Sequence, residues 1–128
     1  MEQKQQTTRE LRGMVSALEA LRHQTGNANL TLPQIMVLLT VGIKSDVPQA
    51  ELEQVTQLSG TGVSRVLYDQ LGVGGMNLVT TRQDSENRRK SIVSLTPQGR
   101  KAVSAMSTQL QKLWSNLDGS NESATAPR

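Results

Sequence analysis

The sequence predicts a mainly α fold carrying one small β-hairpin, and three observations predict it. Apolar residues recur at spacings of three and four near both ends of the chain: Leu11, Met14, Val15, Leu18 and Leu21, then Val103, Met106, Leu110, Leu113 and Leu117. That is the period of amphipathic helices. Between them, Thr31 and Gln34 form a Thr-x-x-Gln capping box with Pro33 in the first turn, a helix start. Alternation in the manner of strands occurs in "MNLVTTR" and "SIVSLT", on either side of the basic run Arg88-Arg89-Lys90.

Composition narrows the function classes. The chain has 128 residues and a net charge of +3, with no cysteine and one histidine, His23. Disulfides, thiolate catalysis, thiol redox sensing and Cys-ligated zinc are excluded, and a His-based triad or metal site lacks its parts. No cofactor or metal is expected, and no enzyme activity. Tyr68 and Trp114 are the only aromatics, so the core must be built from Leu, Val, Ile, Met and Ala. No apolar run approaches the ~18 residues of a membrane span, and the polar start "MEQKQQTTREL" lacks a signal-peptide core. A cytoplasmic protein without a membrane partner is expected. One domain over 1–117 is expected, with a disordered polar tail at 118–128.

The elements follow in order. The first helix covers about 7–24, and "TGNANLT" breaks it. The second carries Leu32, Ile35, Met36, Leu38, Leu39 and Val41 around most of its circumference and should be the most buried. A short third helix spans about 49–58, with Leu52, Val55 and Leu58 inward. After Ser59-Gly60 a fourth helix runs over about 61–71, with Val63, Val66, Leu67 and Leu71 inward. "GVGG" is a loop, and strands over about 78–82 and 91–95 make the hairpin. Thr96 caps a last helix, with Pro97 at its first position, over 97–117.

Two short helices joined by a tight turn, then a hairpin with a basic tip, is the order of a winged helix-turn-helix. The chemistry suits double-stranded DNA. Ser59, Thr61, Gly62 and Ser64 are small and polar and allow close backbone approach, and Arg65 can reach a phosphate or a guanine edge. Tyr68 lies on the same exposed side. Arg82, Asn87, Arg88, Arg89 and Lys90 form a hairpin tip able to lie over the adjacent phosphates or enter the minor groove. Plainer readings stand beside these: Arg65 paired with Asp69, Tyr68 packed on the wing, or Arg82 paired with Asp84 and Glu86. The rival function is a protein-interaction winged helix, such as an antirepressor or a replication or partition adaptor.

The segments "LTLPQIMVLLTV", "QAELEQVTQLSGTGVSRVLYDQL" and "RRKSIVSLTPQGRKAV" together resemble the MarR family of transcriptional regulators, over about 30–103. The most specific part is Arg89 followed by "VSLTPQG", the family's Arg…Val-x-Leu-Thr-x-x-Gly pattern. The resemblance implies a homodimer that binds pseudo-palindromic operators and usually represses, with a DNA-binding lobe over about 30–96. Many such proteins release DNA on binding a small ligand. Nothing in this sequence supports an effector. Asn87 stands where the family usually has Asp, and Gln57 where it usually has the glycine of the turn, which leaves Gly60 to take the bend.

The terminal helices carry the expected assembly. Leu11, Leu18 and Leu21 on the first, and Met106, Leu110, Leu113 and Leu117 on the last, form seams of alternating threes and fours. They bury either against each other within one chain or across a two-fold axis. The second is expected, because a dimer presents two recognition helices ~34 Å apart. Trp114 sits beside the seam and should be shielded there.

Overall fold

The computed structural model describes residues 2–117, without the side chains of Glu2, Trp114, Asn116 and Leu117. The expected tail at 118–128 lies outside the described residues, as do the side chains of Trp114 and Leu117. The elements are α1 (Glu2–Thr25), α2 (Leu32–Lys44), β1 (Val47–Pro48), α3 (Gln49–Thr56), α4 (Gly60–Ser64) continuing as a π-helical segment (Arg65–Gln70), β2 (Val79–Gln83), β3 (Ser91–Leu95) and α5 (Pro97–Leu117).

Helix α1 begins earlier than its apolar stripe suggests. Glu, Gln and Lys in its first turns are good helix formers, and the Thr7 and Thr8 hydroxyls donate to the carbonyls of Gln3 and Lys4. Helix α2 starts at the capping box: the Thr31 hydroxyl accepts from the Gln34 N–H at 3.3 Å, and the Gln34 side chain accepts from the Thr31 N–H at 2.9 Å. It is less enclosed than expected. Val37, Leu38 and Val41 are fully buried, but Leu32 and Ile43 at its two ends are exposed.

The sheet has a third strand that the sequence did not announce. After α2, Ser45 takes φ 79° and ψ −64°, and the Asp46 N–H donates to the Lys44 carbonyl at 3.0 Å. This tight γ-turn swings the chain so that Val47 pairs with Val93 and Pro48 with Ile92. The order is β1-β3-β2, all antiparallel, and β2 pairs Thr81 with Val93 and Arg82 with Ile92.

The bend between α3 and α4 also differs from expectation. Gln57 itself adopts the left-handed conformation, φ 64° and ψ 22°, and Gly60 is already helical. The glycine-type position of the turn is therefore occupied by glutamine, at a backbone cost of ~1–2 kcal/mol.

The core is aliphatic throughout. Leu38, Leu52, Leu67 and Leu71 from the central helices meet Val63, Val79 and Val93, all fully buried. Each such leucine contributes ~1.5–3 kcal/mol by leaving water. Helices α1 and α5 close one side by packing on each other within the chain: Ala17 and Leu21 join Ala102 and Met106 in the same core. A Cβ on Gly13 would lie 2.8 Å from a Leu113 methyl, so glycine sets how closely the two helices cross. The within-chain pairing of the seams is thus the one that accounts for Leu21, Met106 and Leu113.

Candidate nucleic-acid interface

The fourth helix, with its π-helical continuation, is built from Ser59 onward. Its hydroxyl caps α4 by accepting from the Gly62 N–H at 3.1 Å. Val63, Val66 and Leu67 then anchor the helix in the core, which turns Thr61, Arg65, Tyr68 and Asp69 outward. Past Ser64 the helix widens, and the Leu71 N–H reaches back five residues to the Val66 carbonyl at 2.8 Å. Widening of this kind is often found at functional positions.

Ser64 is half-buried and is held by a residue with no sequence signal of its own. Gln49, the first residue of α3, donates its side-chain N–H to the Ser64 oxygen at 2.9 Å. Only the packing of α3 against α4 brings these two positions, fifteen apart in sequence, together.

The wing is stitched to this helix by backbone. The Leu71 carbonyl accepts from the N–H groups of Leu78 and Val79, at 2.6 and 3.1 Å. At the same open end of the hairpin, where β3 returns, the Thr96 N–H donates to the Leu78 carbonyl at 2.9 Å and its hydroxyl to the Asn77 carbonyl at 2.8 Å. The same hydroxyl accepts from the Gly99 N–H at 3.0 Å. A Cβ on Gly99 would lie 2.1 Å from the Leu78 carbonyl oxygen, which is why the Leu-Thr-x-x-Gly segment needs glycine there.

The tip is shaped by Asn87. Its side-chain oxygen accepts from the Arg89 N–H at 3.1 Å and its carbonyl from the Lys90 N–H at 2.9 Å. Asn87 therefore holds the turn that presents Arg88, Arg89 and Lys90, all exposed. From 82 to 90 the sequence has four cations, Arg82, Arg88, Arg89 and Lys90, against two carboxylates, Asp84 and Glu86.

Arg82 pairs with Asp46, at 3.6 Å, and not with its hairpin neighbours. The Ser94 hydroxyl donates to the same carboxylate at 2.5 Å, so Asp46 ties the γ-turn to both strands of the wing. Sequence reading missed Asp46 because its partners lie 36 and 48 positions away. Among the described residues Arg65, Arg88, Arg89 and Lys90 make no ion pair, and the Arg65–Asp69 pair does not form. Tyr68 is 47% exposed. Among the described residues no side-chain hydrogen bond joins Arg65 or Tyr68 to the wing.

The arrangement offers one cation on an outward helix face and three more on a separate hairpin tip. Among the described residues no cluster of His, Cys, Asp or Glu could hold a metal ion. No described helix is long and apolar enough to cross a membrane.

No protein-family model matches the chain, and no curated protein matches its sequence. Solved structures do match its fold. The S. aureus MepR–DNA complex aligns with TM-score 0.65 and 17% identity, over 92% of this chain and 90% of that one. MarR aligns with TM-score 0.58 and 24% identity, over 88% and 79%. A probable transcriptional regulator from Pseudomonas aeruginosa aligns with TM-score 0.56 and 22% identity, over 86% and 77%. The fold is the winged helix-turn-helix of these proteins, nearly from end to end.

Proposed function

We propose that this chain is a MarR-like transcription regulator that binds double-stranded DNA sequence-specifically, as a homodimer on a pseudo-palindromic site. The observation that carries this reading is the presence, on one hydrogen-bonded frame, of two groups of cations that make no ion pair among the described residues. Arg65 stands on the outward face of the recognition helix, and Arg88, Arg89 and Lys90 stand on a wing fastened to that helix through Leu71. A helix in the major groove and a wing over flanking phosphates would use both sets at once. The shared fold with MepR, solved in complex with DNA, supports the same reading.

The dimer is supported by the outer face of α1. Leu11, Met14, Val15 and Leu18 are 61, 50, 54 and 38% exposed, and form a continuous apolar stripe. Burying that stripe against a second copy would pair two recognition helices, and a palindromic site asks for a separation of ~34 Å, one turn of DNA. The layout is then a DNA-binding lobe over about 30–96 flanked by helices that assemble the dimer. Bound across a promoter, such a dimer would block transcription, so we assign it to repression in the cytoplasm.

Selection from a random duplex pool tests the proposal, followed by sedimentation at micromolar concentration. An enriched inverted repeat and a dimer are expected. A protein that binds neither random nor selected duplex at physiological salt would instead be a protein-interaction adaptor.

A further inference from the structure

A serine hydroxyl has one proton to give and can also accept. Which of these Ser64 offers to DNA depends on what its neighbours use. Four helical threonines, Thr7, Thr8, Thr56 and Thr108, each donate to the carbonyl four residues back. Ser64 does not. Among the described residues its hydroxyl has no acceptor, while its oxygen receives the Gln49 N–H at 2.9 Å. An oxygen that already accepts from the α3 side points its own proton elsewhere.

We infer that Gln49 is a positioning residue that sets the polarity of Ser64, occupying one lone pair of its oxygen and leaving its proton for an acceptor on DNA. The inference rests on the DNA-binding reading above and adds a chemical rule to it. On a base edge in the major groove the acceptors are purine N7, guanine O6 and thymine O4. The amino groups of cytosine and adenine are donors and could meet only the remaining lone pair of this oxygen. A phosphate oxygen is the other acceptor within the same chemistry.

Gln49→Glu tests the rule because it is nearly isosteric and can only accept. The carboxylate accepts a hydrogen bond from the Ser64 hydroxyl, and the serine then presents lone pairs outward. Sites are selected from a random duplex pool by wild type, Ser64→Ala, Gln49→Glu and the double variant, each checked for a wild-type thermal melt. Ser64→Ala should lose about 3- to 10-fold in affinity, the size of one hydrogen bond, and relax one position per half-site. Gln49→Glu should move that position towards cytosine N4 or adenine N6, and the shift should vanish in the double variant. General charge repulsion lowers binding on every sequence alike and shifts no preference. If the acceptor is a phosphate, Ser64→Ala and Gln49→Glu lose affinity on every sequence, and one methylphosphonate in the site abolishes the Ser64→Ala effect. A wild type that selects a site while Gln49→Glu keeps wild-type affinity and preference overturns the inference. A wild type that selects no site overturns the DNA reading instead.

Discussion

The Gln34 side chain donates to the Gln70 side-chain oxygen at 2.8 Å while its own oxygen accepts from the Thr31 N–H at 2.9 Å. Gln34 is the one buried polar side chain among the described residues. It joins the start of α2 to the end of the π-helical segment that continues α4, one residue before the carbonyl that anchors the wing. Its burial is acceptable because both ends of the amide are satisfied.

Gln34→Leu keeps the volume and removes both bonds. It should cost ~1–3 kcal/mol, since the Gln70 amide is left without its partner. Urea unfolding of Gln34→Leu, Gln70→Leu and the double variant gives the coupling. A coupling of ~0.5–1.5 kcal/mol is expected, and a value of zero would mean that the two side chains act independently.

Gln57 occupies a left-handed conformation at φ 64°. Gln57→Gly should therefore raise stability by ~0.5–1 kcal/mol, the relief of strain less the added flexibility of the unfolded chain. Gln57→Val should lower it, because a β-branched side chain fits that region worst. Denaturant midpoints of the two variants should move in opposite directions.

Arg65 is outward and unpaired among the described residues. Arg65→Ala should weaken binding to the selected site by ~1–3 kcal/mol and relax preference at one position per half-site. Unchanged affinity and preference would return Arg65 to a surface role.

The wing cations should act mainly through counterion release. Replacing Arg88 and Arg89 by Ala should reduce the slope of log K against log salt by ~0.9 for each phosphate no longer neutralised, summed over both subunits. Titrations at several salt concentrations measure it. An unchanged slope would detach these side chains from DNA.

The α1 stripe provides the assembly test. Leu113 packs over Gly13 within the chain and Leu110 packs against its core, so charges there would unfold the protomer. Leu11 and Val15 are exposed. Leu11→Glu with Val15→Glu should leave the melt of the protomer intact, give a monomer in sedimentation, and lose binding to the palindrome while sparing weak half-site binding. A wild type that is already monomeric at micromolar concentration and binds its site tightly would overturn the dimer.

Features set by local chemistry were legible in the order of residues. The capping box at Thr31 and Gln34, the Thr96-Pro97 start of α5, the period of the helices and the alternation at 91–95 all depend on residues within a few positions of one another. The tight helix pair and its basic hairpin were legible for the same reason, and with them the winged-helix architecture. Whatever needs two distant segments was left to tertiary packing. Strand β1 exists because a γ-turn at Ser45 delivers Val47 to Val93. The turn could settle on Gln57 because the packing of α3 and α4 outweighs a local strain of ~1–2 kcal/mol. Gln49 reaches Ser64, and Asp46 reaches Arg82 and Ser94, across spacings that no periodicity encodes. The two apolar seams looked alike in sequence. Folding sent Leu21 and Met106 inward and left Leu11 and Val15 outside, because a helix rotates each residue by a fixed angle but only its neighbours decide which face is covered.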